Sequence, residues 1–186
     1  MEKRIDFYKI TSAIETNLSK GEWMNALILA TASYTGLRNM DYKKLKWQDV
    51  GGDKLVLVES KTQKRREIPI GESYLRVLNI CRANIDHKDA AYMFPRKRGG
   101  KPGKFIDSRV AWQAMLNAAL RSGGVTEEVG LHTTRRAFGR QIWENKGSNE
   151  SALVLLSKIF NHRDISTTRL YLGFTGEEIT SAYSSL

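Results

Sequence analysis

The chain has 186 residues, of which 41% are hydrophobic, and it carries a formal net charge of +10 at pH 7. It is long enough for one hydrophobic core, while the lack of a long apolar run and of an apolar leader excludes a membrane span and a secretory signal, so we expect a cytoplasmic protein. The excess of Lys and Arg favours a polyanionic partner, nucleic acid first, because basic side chains gain affinity by releasing counterions from phosphates.

The first half of the chain is predicted to contain helices and one β-hairpin. Apolar residues recur at helical spacing over residues 23–34, and Gly36 interrupts the pattern before a second helix begins near Arg38. Two β-rich runs, LVLVE and REIPI, flank the polar stretch SKTQKR, so we expect a hairpin with Lys61 near its tip. The next helix carries Cys81, the single cysteine, whose apolar neighbours predict a buried and inert thiol.

The second half is predicted to start with a basic loop and to continue as helices. The segment FPRKRGGKPGKF combines five basic residues with prolines and glycines and has no periodicity, which is typical of a mobile loop. Helical spacing then predicts four helices: residues 107–120, residues 132–146, a helix capped by Ser148 or Asn149 that ends near Phe160, and a short helix capped by Asp164 that carries Tyr171. We find no internal repeat and no clear domain boundary.

Six polar residues form a set that is able to hold and cut a phosphodiester without a metal. Two arginines can neutralise the non-bridging oxygens, a lysine and two histidines can move protons, and a tyrosine can attack the phosphorus. The set is Arg38, Lys61, His132, Arg135, His162 and Tyr171. Taken singly, each has a structural explanation, such as an ion pair between Arg38 and Asp41 or a solvated hairpin tip for Lys61.

The identity, order and spacing of these residues resemble the tyrosine recombinase (phage integrase) family. The matching motifs are TGLR followed by an acid, HxxR, and a histidine followed by ISTTxxxY, and they extend from about Trp23 to Tyr171. The resemblance implies an α+β, mostly α-helical catalytic domain with a small antiparallel β-sheet, whose hairpin brings a lysine to the DNA. It implies a site-specific DNA recombinase or integrase that cuts and rejoins strands.

The resemblance also implies the roles of the phosphate ligands and the nucleophile. Arg38 and Arg135 would clamp the phosphate, with Asp41 bracing Arg38, and Tyr171 would attack to form a 3′-phosphotyrosyl link. A free tyrosine has a pKa near 10, so only about one in a thousand is ionised at neutral pH and attack needs nearby cations. No metal or other cofactor is expected.

The proton carriers follow from the same resemblance. Lys61 would be the general acid that protonates the leaving 5′-oxygen, although Lys64 on the same hairpin competes for this role. His132 could take the phenolic proton, and His162 could hydrogen-bond a phosphate oxygen. His132 and Arg135 are predicted to lie one turn apart on one helix face.

Four residues depart from the family pattern. Phe160 and Asn161 stand where Leu and Gly usually precede the second histidine, Thr134 replaces Leu before the second arginine, and Gln63 occupies a turn position that is often Gly. These changes concern packing and turn geometry and leave the reacting groups intact.

The expected partner is double-stranded DNA. Basic residues predicted to contact it are Lys43, Lys64, Arg65, Arg96, Lys97, Arg98, Lys101, Lys104 and Arg136. We expect the protein to form a homo-oligomer, namely a tetramer, on DNA. A monomer in solution is compatible with this expectation. An apolar stripe in residues 175–186 predicts either docking on a neighbouring subunit or folding back onto the chain's own core, and membrane contact is not expected.

Residues 1–186 are interpreted as a single catalytic domain without a separate N-terminal DNA-clamping domain. Such a chain is either a fragment of a longer recombinase or a minimal one. Three other functions stay open: a type IB topoisomerase-like strand cleavage, a non-catalytic DNA-binding module, and a metal-free ribonuclease. The sequence does not specify the target site or the choice among integration, inversion and resolution.

Overall fold

The computed structural model describes residues 4–87, 91–98, 101–173 and 184. Within these ranges the helices are α1 (Phe7–Ser19), α2 (Trp23–Tyr34), α3 (Asn39–Tyr42), α4 (Glu72–Asn84), α5 (Arg109–Ser122), α6 (Thr133–Asn145), α7 (Glu150–Phe160) and α8 (Ile165–Leu172). The strands are β1 (Val50–Gly51), β2 (Lys54–Val58), β3 (Arg65–Pro69), β4 (Pro95–Arg98) and β5 (Lys101–Phe105). Two compact units divide the chain: unit 1 is Met1–Phe138 and unit 2 is Gly139–Leu186.

Helix α2 is the centre of unit 1. It is apolar all round, and its residues 26–33 are buried, as expected of a helix that is surrounded by others. Helices α1, α4 and α5 pack against it. Cys81 on α4 is buried, its thiol donates to the Trp23 carbonyl at 3.3 Å, and burial raises its pKa to about 12. The predicted helix over residues 23–34 and the predicted burial of the thiol are therefore confirmed.

Strands β1, β2 and β3 form an antiparallel sheet in that order. Leu55 and Leu57 of β2 face the core, whereas Lys54 and Val58 are exposed, which is the alternation of a strand with one buried face. The predicted hairpin is confirmed, and residues 59–64 between β2 and β3 carry Lys61. We call residues 59–64 the Lys61 loop.

The predicted basic loop is wrong, because its residues form a second hairpin. Strands β4 and β5 pair antiparallel, with Pro95 opposite Phe105 and a register shift between Pro95 and Lys97. Pro95 and Pro102 are tolerated in these strands, since a two-stranded ribbon consists only of edge strands and needs few ladder donors. The side chains of residues 97, 98 and 101–103 lie outside the described part of the structure.

The helix ends show which local signals were accurate. Helix α5 is capped by Ser108, whose Oγ accepts from the Ala111 N–H at 3.2 Å, so it begins two residues after the predicted Asp107. Asn149 caps α7 and Asp164 caps α8, as predicted. None of the described helices combines the length and the apolar character that a membrane span requires.

Candidate active site

The two candidate phosphate-binding arginines lie on segments that are joined by a hydrogen bond within unit 1. Arg38 is the residue that precedes α3, and its carbonyl accepts from the N–H groups of Asp41 and Tyr42. Arg135 lies in the first turn of α6 and is 2% exposed. Its guanidinium donates to the carbonyl of Gly36, two residues before Arg38. The fold therefore fixes one arginine against the turn that carries the other.

Gly36 is required by this turn for two reasons. Its φ is +60°, in the left-handed region that residues with a side chain rarely adopt. A Cβ at this position would come within 2.5 Å of the Phe138 ring, so there is no space for even a methyl group. The glycine in the TGLR motif thus has a structural explanation, namely the close approach of the α2–α3 turn to α6.

Asp41 connects α3 to the Lys61 loop. Its Oδ1 accepts from the backbone N–H of Ser60 at 2.7 Å, and its side chain is buried. Lys44 adds a second connection, because its Nζ donates to the Ser60 hydroxyl at 3.1 Å. Both contacts hold the residue that precedes Lys61. The bracing of Arg38 by Asp41 stays a prediction.

The Lys61 loop contains a buried acid that the sequence analysis missed. Glu59 accepts from Arg66 at 2.7 Å and from the Thr62 hydroxyl at 2.9 Å. The backbone closes the loop through bonds from Glu59 N–H to the Lys64 carbonyl, at 3.0 Å, and from Gln63 N–H to the Glu59 carbonyl, at 2.9 Å. Lys61 and Lys64 are both exposed, so the geometry leaves both available as general acid.

His132 lies immediately before α6 and is exposed. Its carbonyl accepts from the Arg136 N–H at 3.0 Å, as the first hydrogen bond of the helix. The predicted helix start at residue 132 is therefore one residue early. His132 joins Arg38, Lys61 and Arg135 as the fourth candidate residue of unit 1.

His162 and Tyr171 meet in unit 2, around Phe160. The ring centroids are 5.3 Å apart for Phe160 and His162, 5.3 Å for Phe160 and Tyr171, and 5.5 Å for His162 and Tyr171. These three rings are here called the aromatic cluster. His162 Nδ1 lies 2.9 Å from the hydroxyl of the buried Thr168, which fixes the ring's orientation. The geometry brings the candidate nucleophile and one candidate histidine together.

Helix α8 carries Tyr171 and is anchored at its start by Asp164. The Asp164 carboxylate accepts from the Ser166 hydroxyl and from the Thr167 N–H, the latter at 3.0 Å. These hydrogen bonds hold the pKa of the Asp164 carboxyl below its ordinary value. The N-terminus of the helix that presents the tyrosine is therefore fixed by an ionised cap.

Comparison with known proteins decides the family. The model of the phage integrase family matches residues 4–177 of the chain. The chain belongs to the phage integrase family.

Two curated relatives show how much of each sequence is aligned with this chain and how similar the sequences are. The "Probable integrase/recombinase YoeC" of Bacillus subtilis is 33% identical over 150 residues, which cover 80% of this chain and 77% of that protein. The "Tyrosine recombinase XerC" of Xanthomonas axonopodis pv. citri is 28% identical over 152 residues, or 81% of this chain and 47% of that protein. The chain thus spans about half the length of XerC.

The fold agrees with this family. The crystal structure of XerA recombinase is similar with a TM-score of 0.73 at 20% sequence identity, covering 100% of this chain and 63% of that one. The prediction of a mostly helical recombinase fold with small antiparallel sheets is confirmed.

Two of the departures from the integrase pattern fall on left-handed residues. Asn161 has φ +51° and caps α7, and Gln63 has φ +56°. The family's usual Gly is the residue that adopts this conformation most easily, and Asn comes next. Asn161 is thus a mild replacement, whereas Gln63 is held by a hydrogen bond from its amide to the Ser60 carbonyl at 2.8 Å.

The other two departures lie in packed positions. Phe160 fits because residue 139 is glycine: a Cβ on Gly139 would come within 2.7 Å of the Phe160 ring. Thr134 is buried, and its hydroxyl has no hydrogen-bond partner among the described residues. A leucine, as the integrase pattern has there, would leave no such polar group.

Among the predicted DNA-contact residues, Lys43 is placed where contact with a phosphate is unfavourable. It is buried, and its Nζ donates to the Asp107 carbonyl at 3.0 Å and to the Asp107 carboxylate, whose pKa it lowers. This position favours a structural connection between α3 and the start of α5. Exposed positions are occupied by Lys64, Arg65, Arg96 and Lys104, and Arg136 is half-buried.

Three further predicted contacts and the terminal segment fall outside what the structure describes. The side chains of Lys97, Arg98 and Lys101 lie outside the described part of the structure. So do residues 174–183, 185 and 186, nearly all of the segment predicted either to dock on a neighbouring subunit or to fold back onto the chain's own core. These assignments stay predictions.

Proposed function

We propose that this chain is the catalytic domain of a site-specific DNA recombinase, which cuts and rejoins DNA strands through a 3′-phosphotyrosine. The observation that carries the proposal is the hydrogen bond from Arg135 to Gly36, because it fixes the two arginine-bearing segments side by side. Tyr171 and His162, packed together in unit 2, are the proposed nucleophile and a proposed phosphate ligand. Membership of the phage integrase family supports the same function.

The proposed reaction exchanges one phosphodiester for another. The Tyr171 oxygen attacks the phosphorus, its proton passes to His132, and the bond from phosphorus to the 5′-oxygen breaks. Arg38 and Arg135 offset the charge that develops on the non-bridging oxygens, a role in which one lost donor commonly costs about a hundredfold to a thousandfold in rate.

The same groups carry the reaction to its end. Lys61 gives a proton to the leaving 5′-oxygen, and His162 hydrogen-bonds a phosphate oxygen. The phosphotyrosine keeps the energy of the broken bond, so a 5′-hydroxyl of another strand can reverse the step. Asp41 would fix the position of Arg38 relative to the Lys61 loop.

The proposed partner is double-stranded DNA, bound by a tetramer. Exchanging strands between two DNA duplexes requires a cut in each of the four strands. Because each copy of the protein supplies one tyrosine, four copies are needed. The net charge of +10 supports binding to a polyanion, and we expect the affinity to fall steeply as salt rises. A cytoplasmic location and one catalytic domain over residues 1–186 are part of this proposal.

A nicked suicide DNA substrate tests the function. After cleavage of such a substrate, the short fragment that carries the freed 5′-hydroxyl dissociates at the nick. The strand then cannot be rejoined, so the protein stays attached to the DNA as an adduct that resists SDS. We expect an adduct from the wild type and none from Tyr171→Phe, while the matched control Tyr8→Phe, which changes an exposed tyrosine on α1, keeps it. An adduct that persists in Tyr171→Phe would contradict the assignment of the nucleophile. If the wild type bound DNA but gave no adduct on any substrate, a non-catalytic binding module would be favoured.

A further inference from the structure

We propose that Glu59 is a positioning residue for Lys61: its buried carboxylate sets the backbone of the Lys61 loop so that the lysine reaches the leaving oxygen. The inference rests on the proposed function, in which Lys61 is the general acid. It concerns a residue outside the six candidate catalytic positions and outside the acid beside the first arginine.

The burial of Glu59 is the first observation. Its side chain is 1% exposed, and that of its ion-pair partner Arg66 is 18% exposed. Glu59 continues the inward-facing series of Leu55 and Leu57, at the position where a strand of this kind would carry another apolar residue. An acid therefore occupies a core-facing position.

A stability argument alone does not explain an acid at such a position. Removing two charges from water is costly, and a buried ion pair is often no more stabilising than apolar residues of the same size. A buried ion pair restricts the relative positions of its two side chains, because its hydrogen bonds form only over a narrow range of geometries. The buried pair between Glu59 and Arg66 thus suits the fixing of a loop better than the filling of a core.

The contacts on either side of Lys61 are the second observation. The residue before it, Ser60, donates its N–H to Asp41 at 2.7 Å. The residue after it, Thr62, donates its hydroxyl to Glu59 at 2.9 Å. Two buried carboxylates therefore hold the two neighbours of Lys61, while the lysine itself is exposed.

This arrangement fixes the backbone and leaves the side chain free to reach a substrate. A general acid must come within hydrogen-bond distance, about 2.6–3.2 Å, of the atom that it protonates. A displacement of about 1 Å at a catalytic group can cost about a hundredfold in rate. A change at Glu59 that moves the Lys61 loop should therefore weaken protonation of the leaving group and spare the attack by Tyr171.

The test uses two DNA substrates that differ in the leaving atom. One has the ordinary 5′-oxygen at the cleaved phosphate, and the other has a bridging 5′-sulfur. A thiol has a pKa near 8.5 and leaves without a proton, so cleavage of the sulfur substrate does not depend on a general acid. Single-turnover cleavage rates are measured for the wild type, Lys61→Ala, Lys64→Ala, Glu59→Gln, Thr62→Val and Glu67→Gln.

We expect Glu59→Gln to slow cleavage at oxygen by about tenfold to a hundredfold and to leave cleavage at sulfur close to the wild-type rate. Thr62→Val should show the same selectivity with a smaller loss, and Lys61→Ala the same selectivity with a larger one. Glu67→Gln is the matched control, since Glu67 is a carboxylate of the same hairpin, paired with Arg65 at the surface, and both rates should stay unchanged.

Several outcomes overturn the inference. In Glu59→Gln, equal losses of rate on the oxygen and sulfur substrates would mean that Glu59 supports the fold or the phosphate clamp. Unchanged rates on both substrates would mean that the position of the Lys61 loop does not depend on Glu59. If Glu59→Gln does not fold, Thr62→Val decides by the same two rates. If Lys64→Ala slowed cleavage only of the oxygen substrate and Lys61→Ala slowed neither, the general acid would be Lys64 and not Lys61. A wild type that cuts neither substrate would instead refute the proposed function.

Discussion

The Lys61 loop and the aromatic cluster hold their candidate catalytic groups by different forces. In the Lys61 loop, buried carboxylates bind the backbone and side chains next to the lysine, and the lysine stays exposed. In the aromatic cluster, ring packing acts on the side chain of Tyr171, the proposed nucleophile. Charged contacts thus fix the backbone on either side of Lys61, the proposed proton donor, whereas packing fixes the side chain of Tyr171 itself.

The largest expected effect comes from removing the ring that the cluster is built on. Phe160→Ala should lower the free energy of unfolding by about 3–5 kcal/mol, as measured by urea denaturation. Because Tyr171 itself loses its support, we expect slower cleavage of both the oxygen and the sulfur substrate, unlike the selective loss predicted for Glu59→Gln.

Leu170→Ala serves as the control, since Leu170 is an exposed apolar residue on the same helix as Tyr171. It should change neither stability nor cleavage by much. If Phe160→Ala cleaved the sulfur substrate at the wild-type rate, the packing of Phe160 would not be what positions the proposed nucleophile.

A second prediction concerns the close contact between Phe160 and Gly139. Gly139→Ala adds a methyl group where no space exists, which should cost about 1–3 kcal/mol in stability. In the background of Phe160→Leu, which removes the ring, the same alanine should cost much less, because the side chain of Leu172 at 3.1 Å is then the main close contact left and alanine favours the helix more than glycine does. Denaturation of the four proteins of this double-mutant cycle measures the coupling, and additive effects would refute the contact.

A smaller change is expected at Thr134, beside the buried Arg135. Thr134→Val replaces a hydroxyl that has no partner among the described residues with a methyl group of the same shape. We expect the free energy of unfolding to rise by about 1 kcal/mol, because a buried polar group is no longer left without a hydrogen bond. Thr133→Val is the control: the Thr133 hydroxyl accepts from Gly130 N–H at 3.1 Å, so its loss should destabilise.

The smallest effect is a pH dependence from the α8 cap. Hydrogen bonds from Ser166 and then Thr167 lower the pKa of Asp164 in the folded state. A lowered folded pKa gives stability that is present above the unfolded pKa, near 3.9, and is lost as pH falls through the folded value. Asp164→Asn keeps a capping side chain without a charge, so the wild type's advantage over it should begin to shrink below about pH 4 and continue to fall as pH decreases further. Urea denaturation from pH 3 to pH 7 measures this, and a difference that does not change with pH would contradict it.

Local signals predicted much of the fold and of the site. Caps such as Asp164, the break at Gly36 and the alternation around Leu55 act over a few residues, so they can be read from the sequence. The β4–β5 hairpin was missed because its sequence, PRKR and KPGKF, shows no alternation of apolar and polar residues. The match between Phe160 and Gly139 was missed because the two residues are far apart in sequence.

Lys43 and Glu59 show the limit of reading charge. Both lie near clusters of basic residues, where a charged side chain is usually solvated. The structure buries both, one against Asp107 and the other against Arg66. For Glu59 a signal existed, because it falls two residues after Leu57 on the inward face of β2. For Lys43 the partner lies 64 residues away, and no local pattern indicates it.

The burial of Cys81 makes the protein easy to label at a chosen site. Maleimide dyes react with thiolates, and the only thiol of the natural chain is both shielded and kept protonated by a pKa of about 12. A cysteine introduced at Val110, which is 79% exposed on α5, would therefore carry the dye alone. Fluorescence from that position would test, on single molecules, whether the protein binds DNA as proposed.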